Sequence, residues 1–135
     1  MRFLLDTNAL SDLGKVPSRV QARIDSLPPG DEVITSVAVH GEVLYGLERM
    51  PAGRRRDELA VTLQRVLPTV YCVSLTPAIA TRFAKIRVLQ QRRGLSLEEC
   101  DLWIAATALE FGAVLVTHDS DFRRIPGLLV EDWTP

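Results

Sequence analysis

This chain of 135 residues has only two cysteines and two histidines. Cys72 and Cys100 stand in separate apolar segments, with no CxxC and no histidine at ligand spacing. That argues against a zinc site or a disulfide framework and for buried free thiols in a reducing cytoplasm. Long hydrophobic runs are missing too. The amino terminus offers only Phe3, Leu4 and Leu5 before Asp6, far short of a signal peptide, and no stretch approaches a membrane span. Aromatic residues are few, 6% against 47% hydrophobic overall, so the core has to be made of Leu, Val and Ala. Lysine is scarce: Lys15 and Lys85 are the only two among 16 basic residues, a bias that the net charge of -1 conceals. Arginine suits phosphate recognition because its planar fork binds oxygens in pairs, and it serves equally on solvated helix faces.

What the chain does have is an alternation of short apolar runs with helical periodicities. Residues 3–5, 32–35, 70–75, 114–116 and 128–130 are expected as strands, the last at an edge. Between them come a short turn over 9–13 and a helix with Pro17 at its first position. A Ser36-capped helix follows, with Val39, Val43, Leu44 and Leu47 facing inward, and then a helix over 54–67. Thr76-Pro77 opens a further helix carrying Ile79, Phe83, Ile86 and Leu89 on one face. A Ser96–Glu99 capping box opens the last, which Gly112 closes. No repeat, linker or low-complexity tract interrupts the pattern. The expectation is a single α/β domain over residues 1–135 with a mainly parallel sheet.

Acids gather where such a fold places chemistry. In a helix-then-strand unit the helix start and the end of the next strand share one edge of the sheet, and ligands bind at the carboxyl ends of the strands. Asp6 ends the first strand, and Asp119 and Asp121 follow a later one. Glu42 and Asp101 are expected in the second turns of helices that begin at that edge, about 8 Å from the helix start. At about 4 Å and an effective dielectric near 20, each like-charged pair costs roughly 4 kcal/mol, so the cluster needs a cation or protons. Carboxylates without His or Cys select hard cations such as magnesium or manganese. Such a site suits metal-assisted phosphodiester cleavage. Arg92, Arg93, Arg123, Arg124 and the run 54–56 are available to flanking phosphates, though each also serves as a solvated surface residue.

The segments FLLDTNALSDL, SVAVHGEVLYGLERM, CDLWIAATALEFGAVLVTHDSDF and IPGLLVEDW, in that order, resemble the PIN-domain ribonucleases, in particular the VapC-like toxins of toxin–antitoxin pairs. The resemblance implies a three-layer α/β/α sandwich and a Mg²⁺-dependent endoribonuclease, with Mn²⁺ able to substitute. It maps Asp6, Glu42, Asp101 and Asp119 onto the acidic quartet that holds the metal and activates water, and Asp121 onto a more variable acidic position. It maps Asn8 onto a residue that orients Asp6, and Thr117 onto the floor of the site. It further implies an RNA substrate, a homodimer, and a cognate antitoxin through which alone the toxin meets DNA. Trp103 departs from the aliphatic residue usual at its position, which leaves core packing or substrate stacking as its role; His118 is expected to touch substrate or to fill its loop.

Two other readings follow from the same residues. One is a catalytically inert PIN scaffold that binds RNA or protein. The other is a haloacid-dehalogenase-type phosphatase, suggested by Asp6-Thr7-Asn8 and the acidic loop 118–121, but that chemistry requires a second acid where Asn8 stands.

Overall fold

The computed structural model describes residues 1–134. Its first strand, β1 (Arg2–Leu5), pairs in parallel on one side with β2 (Glu32–Ser36), Leu4 opposite Ile34. On the other side it pairs with β4 (Val114–Val116), Leu5 opposite Val116. β3 (Tyr71–Val73) and β5 (Val130–Glu131) complete a parallel sheet in the order β3-β2-β1-β4-β5. Central strands of such a sheet have no solvent side, and this explains why residues 3–5 and 114–116 are unbroken apolar runs rather than alternating ones.

Six helices connect the strands: α1 (Thr7–Asp12), α2 (Arg19–Asp25), α3 (Val37–Glu48), α4 (Arg54–Val66), α5 (Pro77–Arg92) and α6 (Glu99–Glu110). The chain winds outward from β1 to β3, then jumps back across β1 to β4. With right-handed crossovers, this reversal puts the early helices on one face and α5 and α6 on the other. The result is the three-layer α/β/α sandwich. None of these helices is long and apolar enough to cross a membrane.

Local chemistry accounts for most boundaries. The Ser36 and Thr76 hydroxyls accept from the Val39 and Ile79 N–H groups and cap α3 and α5 as expected. Several details differ. The last strand, expected over 128–130, forms at Val130–Glu131. Pro17 precedes α2 instead of opening it. Ser18 is the cap, and buried Asp12 accepts from the Ser18 hydroxyl (2.8 Å) and the Val20 N–H (2.9 Å), fixing α2 to α1. Leu44 is 42% exposed, not inward-facing. The strand expected over 70–75 shrinks to three residues. The Ser96–Glu99 capping box does not form: α6 begins at Glu99 after Glu98, without a side-chain cap, so Asp101 lies in its first turn.

Trp103 belongs to the packing. Its ring stacks on Phe83, centroids 3.9 Å apart and planes 12° from parallel, joining α6 to α5.

Candidate active site

The carboxyl edge of the sheet is built around the reversal between β1 and β4. Asp6 comes directly after β1; its N–H donates to Val116 O at 3.1 Å, and it is the N-cap of α1. Its carboxylate, 5% exposed, accepts from the Asn8 backbone N–H (3.0 Å) and from Asn8 Nδ2 (3.3 Å). Asn8 Nδ2 also donates to Thr117 Oγ1 (3.2 Å), while Asn8 Oδ1 accepts from the His118 N–H (3.2 Å). One short amide therefore ties the end of β1 to the end of β4.

From Thr117 the bonding continues. Its buried hydroxyl accepts from the Asp119 N–H (3.1 Å), and Asp119 Oδ1 accepts from the Asp121 N–H (2.9 Å), opening a 3-10 turn over Ser120–Arg124. Asp121 is exposed, and its backbone rather than its carboxylate makes that tie. Glu42, in the second turn of α3, is held from α1 by the Thr7 hydroxyl, which donates to Glu42 Oε2.

Asp101 is the most perturbed of the acids. Burial, followed by the charges of Glu42, Asp6 and Asp119, pushes its carboxyl up to about 7. Burial also raises Asp6; the Thr117 hydroxyl and the Asn8 N–H draw it back, Glu42 raises it again and His118 lowers it. Carboxylates from four elements thus act on one another across one pocket, at the topological switch point where open parallel sheets bind ligands. Burial together with Glu42 pushes the neighbouring Cys100 thiol up to about 12, and the thiol donates to Ala38 O, so this cysteine is no nucleophile.

An oxygen-only donor set with unrelieved negative charge fits a hard divalent cation. Among the described residues no three His, Cys, Asp or Glu side chains form a ready-made cage. The charges of Glu42, Asp6 and Asp119 nevertheless reach Asp101.

Residues 3–128 match the PIN domain model, and the chain is 30% identical over 98% of both sequences to the tRNA(fMet)-specific endonuclease VapC of Salmonella typhimurium. The chain belongs to the VapC ribonucleases of the PIN-domain family. VapC-type structures have the same fold. The solved structure of VapBC-1 from nontypeable Haemophilus influenzae superposes with a TM-score of 0.85 at 26% identity, all of both chains being covered. VapBC2 from Rickettsia felis, bound to a DNA fragment from its promoter, matches at 0.88 and 24% identity over 98% of this chain and 99% of that one, a likeness of fold. PIN-domain ribonucleases in general depend on a divalent metal.

Two contacts at the site lie beyond sequence reasoning. Thr7 anchors Glu42 across 35 residues, and the only hint was a small polar residue beside Asp6. Glu98 adds charge to Asp101, and nothing marked it while α6 was expected to start earlier. Asn8 and Thr117 do meet at the floor, and His118 is exposed beside them. Arg123 and Arg124 lie exposed in the 3-10 turn after Asp119, and Arg92 and Arg93 at the far end of α5. Arg54 and Arg56 are engaged on the protein surface by Glu58 and Glu48.

Proposed function

We propose that this endoribonuclease cleaves RNA with a divalent cation, magnesium with manganese as substitute, held by Asp6, Asp101, Asp119 and Glu42. The observation that carries the reading is the meeting of these four side chains, each delivered by a different element, at the β1/β4 switch point. A bound ion offsets the phosphate charge and makes a water deprotonable near neutral pH. The chain's own groups do the rest. Asn8 and Thr117 hold Asp6 and Asp119 in place through the bonds described above. Thr7 fixes Glu42 beside the other acids through its hydroxyl. Exposed Asp121 supports the group from outside, and Arg123 and Arg124 on the rim meet the flanking phosphates.

The toxin role, a homodimer, a cytoplasmic setting and an antitoxin that links the protein to DNA belong to the same proposal, supported by the VapBC complexes among its structural relatives. A channel of about 270 Å³ between α1, α3 and α4 starts at Thr7 and Glu42 and continues along Leu10, Val43, Leu59 and Leu63. It suits the apolar side chains of an antitoxin tail laid against the acids.

The test is direct. Purified protein with RNA and Mg²⁺ or Mn²⁺ should yield cuts that disappear with EDTA and with Asp6→Asn. Equal cutting by that variant would overturn the assignment, and tight RNA binding without cleavage in either metal would favour an inert scaffold.

A further inference from the structure

Glu42, Tyr45, Gly46 and Arg49 recur at i, i+3, i+4 and i+7, which puts them on one face of α3. Three of them, Glu42, Gly46 and Arg49, line the channel that starts at Thr7. Among the described residues Arg49 is the only basic one along that channel, and no carboxylate pairs with its guanidinium. Arg54 and Arg56 on α4 are by contrast held by Glu58 and Glu48. The Arg49 guanidinium instead lies over the Tyr45 ring, 5.6 Å from its centroid. Folding back in this way brings its charge from about two turns beyond Glu42 to about one. Tyr45 itself is 65% exposed.

Gly46 supplies a second, independent observation. A glycine inside a helix is destabilising relative to alanine, and no neighbour requires one here: a Cβ would meet no atom within 4 Å. The missing side chain leaves open space on the face between Glu42 and Arg49.

An exposed aromatic ring beside a planar arginine is what holds single-stranded RNA, the ring stacking on a base and the guanidinium taking a phosphate. The position agrees. β2 and β4 flank β1 on opposite sides, so α3, which follows β2, and the turn with Arg123 and Arg124, which follows β4, lie on opposite sides of Asp6. A strand with one phosphate at the acids meets Arg123 and Arg124 on one side. On the other it meets Arg49.

We propose that Tyr45 and Arg49 grip the RNA strand on the α3 side of the cut, the ring stacking on one base and the guanidinium holding the adjoining phosphate. Gly46 leaves the strand room beside them. The proposal rests on the RNA-cleaving reading and adds a substrate contact to it. Neither stacking nor a phosphate contact reads base identity, so this grip sets affinity and placement and leaves sequence choice to other residues. An antitoxin tail laid in the same channel covers Arg49 and displaces the strand.

The test is binding of a labelled single-stranded RNA of mixed sequence, followed by fluorescence anisotropy over a range of salt. The Asp119→Asn background keeps the strand uncut. In that background Arg49→Met, which keeps the stem and removes the charge, should weaken binding about tenfold. It should also make the fall of log affinity with log salt shallower by about 0.7, a change that lost packing alone does not produce. Tyr45→Leu should weaken binding at least about fivefold with the salt slope kept, and Tyr45→Phe should bind like the parent. Gly46→Leu should bind RNA more weakly while unfolding at no lower temperature than the parent. Unchanged affinity and slope in Arg49→Met, or unchanged affinity in Tyr45→Leu, overturns the grip. A Tyr45→Leu protein that loses self-association and keeps its RNA affinity places the ring between copies of the chain and overturns it as well. If the protein with Tyr45 and Arg49 intact binds no RNA, the RNA-cleaving reading itself fails and the grip falls with it.

Discussion

A carboxyl group that titrates near neutrality changes how stability depends on pH. Asp101 has an ordinary value of 3.8 when unfolded and is pushed up to about 7 when folded, so between these values the folded chain keeps a proton that the unfolded chain has lost. The Asp101 contribution to the stability of the metal-free protein therefore falls as pH rises from 3.8 to about 7 and levels off above. Asp101→Asn removes this repulsion. In EDTA at about pH 8 the variant should be more stable than the parent by about 1–2 kcal/mol, after allowance for solvent screening of a partly exposed group. Urea denaturation should show the advantage vanishing near pH 4, and a difference between variant and parent that does not shrink as pH falls would contradict the assignment. Asn8 acts through its neighbours. Losing its bonds to Asp6, Thr117 and the His118 N–H should make Asn8→Ala about 10- to 100-fold less active with the fold intact, as a loss of ligand-orienting bonds typically does. Parent-like kinetics would remove Asn8 from the site.

At the scale of elements, Phe83 and Trp103 carry the joint between α5 and α6, the helix that presents Asp101. A double-mutant cycle of Phe83→Leu and Trp103→Leu, read by thermal or urea denaturation, should give a coupling of about 0.5–1.5 kcal/mol. Simple additivity would mean that the stacking contributes nothing beyond burial. The same scale shows what was legible from residue order. Ser36 and Thr76 were visible as caps because a hydroxyl before a helical run has one main use. Ser96 misled because S-x-x-E also fits a loop, and α6 waits for Glu99. Leu44 misled because α3 is apolar on most of its circumference, with Val37 and Tyr45 exposed as well, and periodicity then has no face to choose. Pro17 was displaced by Asp12, whose bonds to Ser18 and Val20 set the start of α2 from outside that helix.

For the whole molecule, the acids at strand ends and helix starts were legible because in a parallel sheet those positions share an edge, whatever the strand order. The order β3-β2-β1-β4-β5 was not, since no local pattern states which strand lies beside which. Nor were the ties across it, Thr7 to Glu42 and Asn8 to Thr117, which join residues 35 and 109 positions apart. That order nevertheless makes the site: it sets β1 against β4, so that Asp6 and Asp119 share one floor while α3 and α6 bring Glu42 and Asp101 to it. The most direct test of this convergence is thermal unfolding with and without Mn²⁺ for the parent and for Asp6→Asn, Glu42→Gln, Asp101→Asn and Asp119→Asn. The ion should raise the parent's midpoint by several degrees, as about 1 kcal/mol of binding does, and each single variant should lose most of that rise. A rise retained in full by all four variants would place the ion elsewhere and contradict the account.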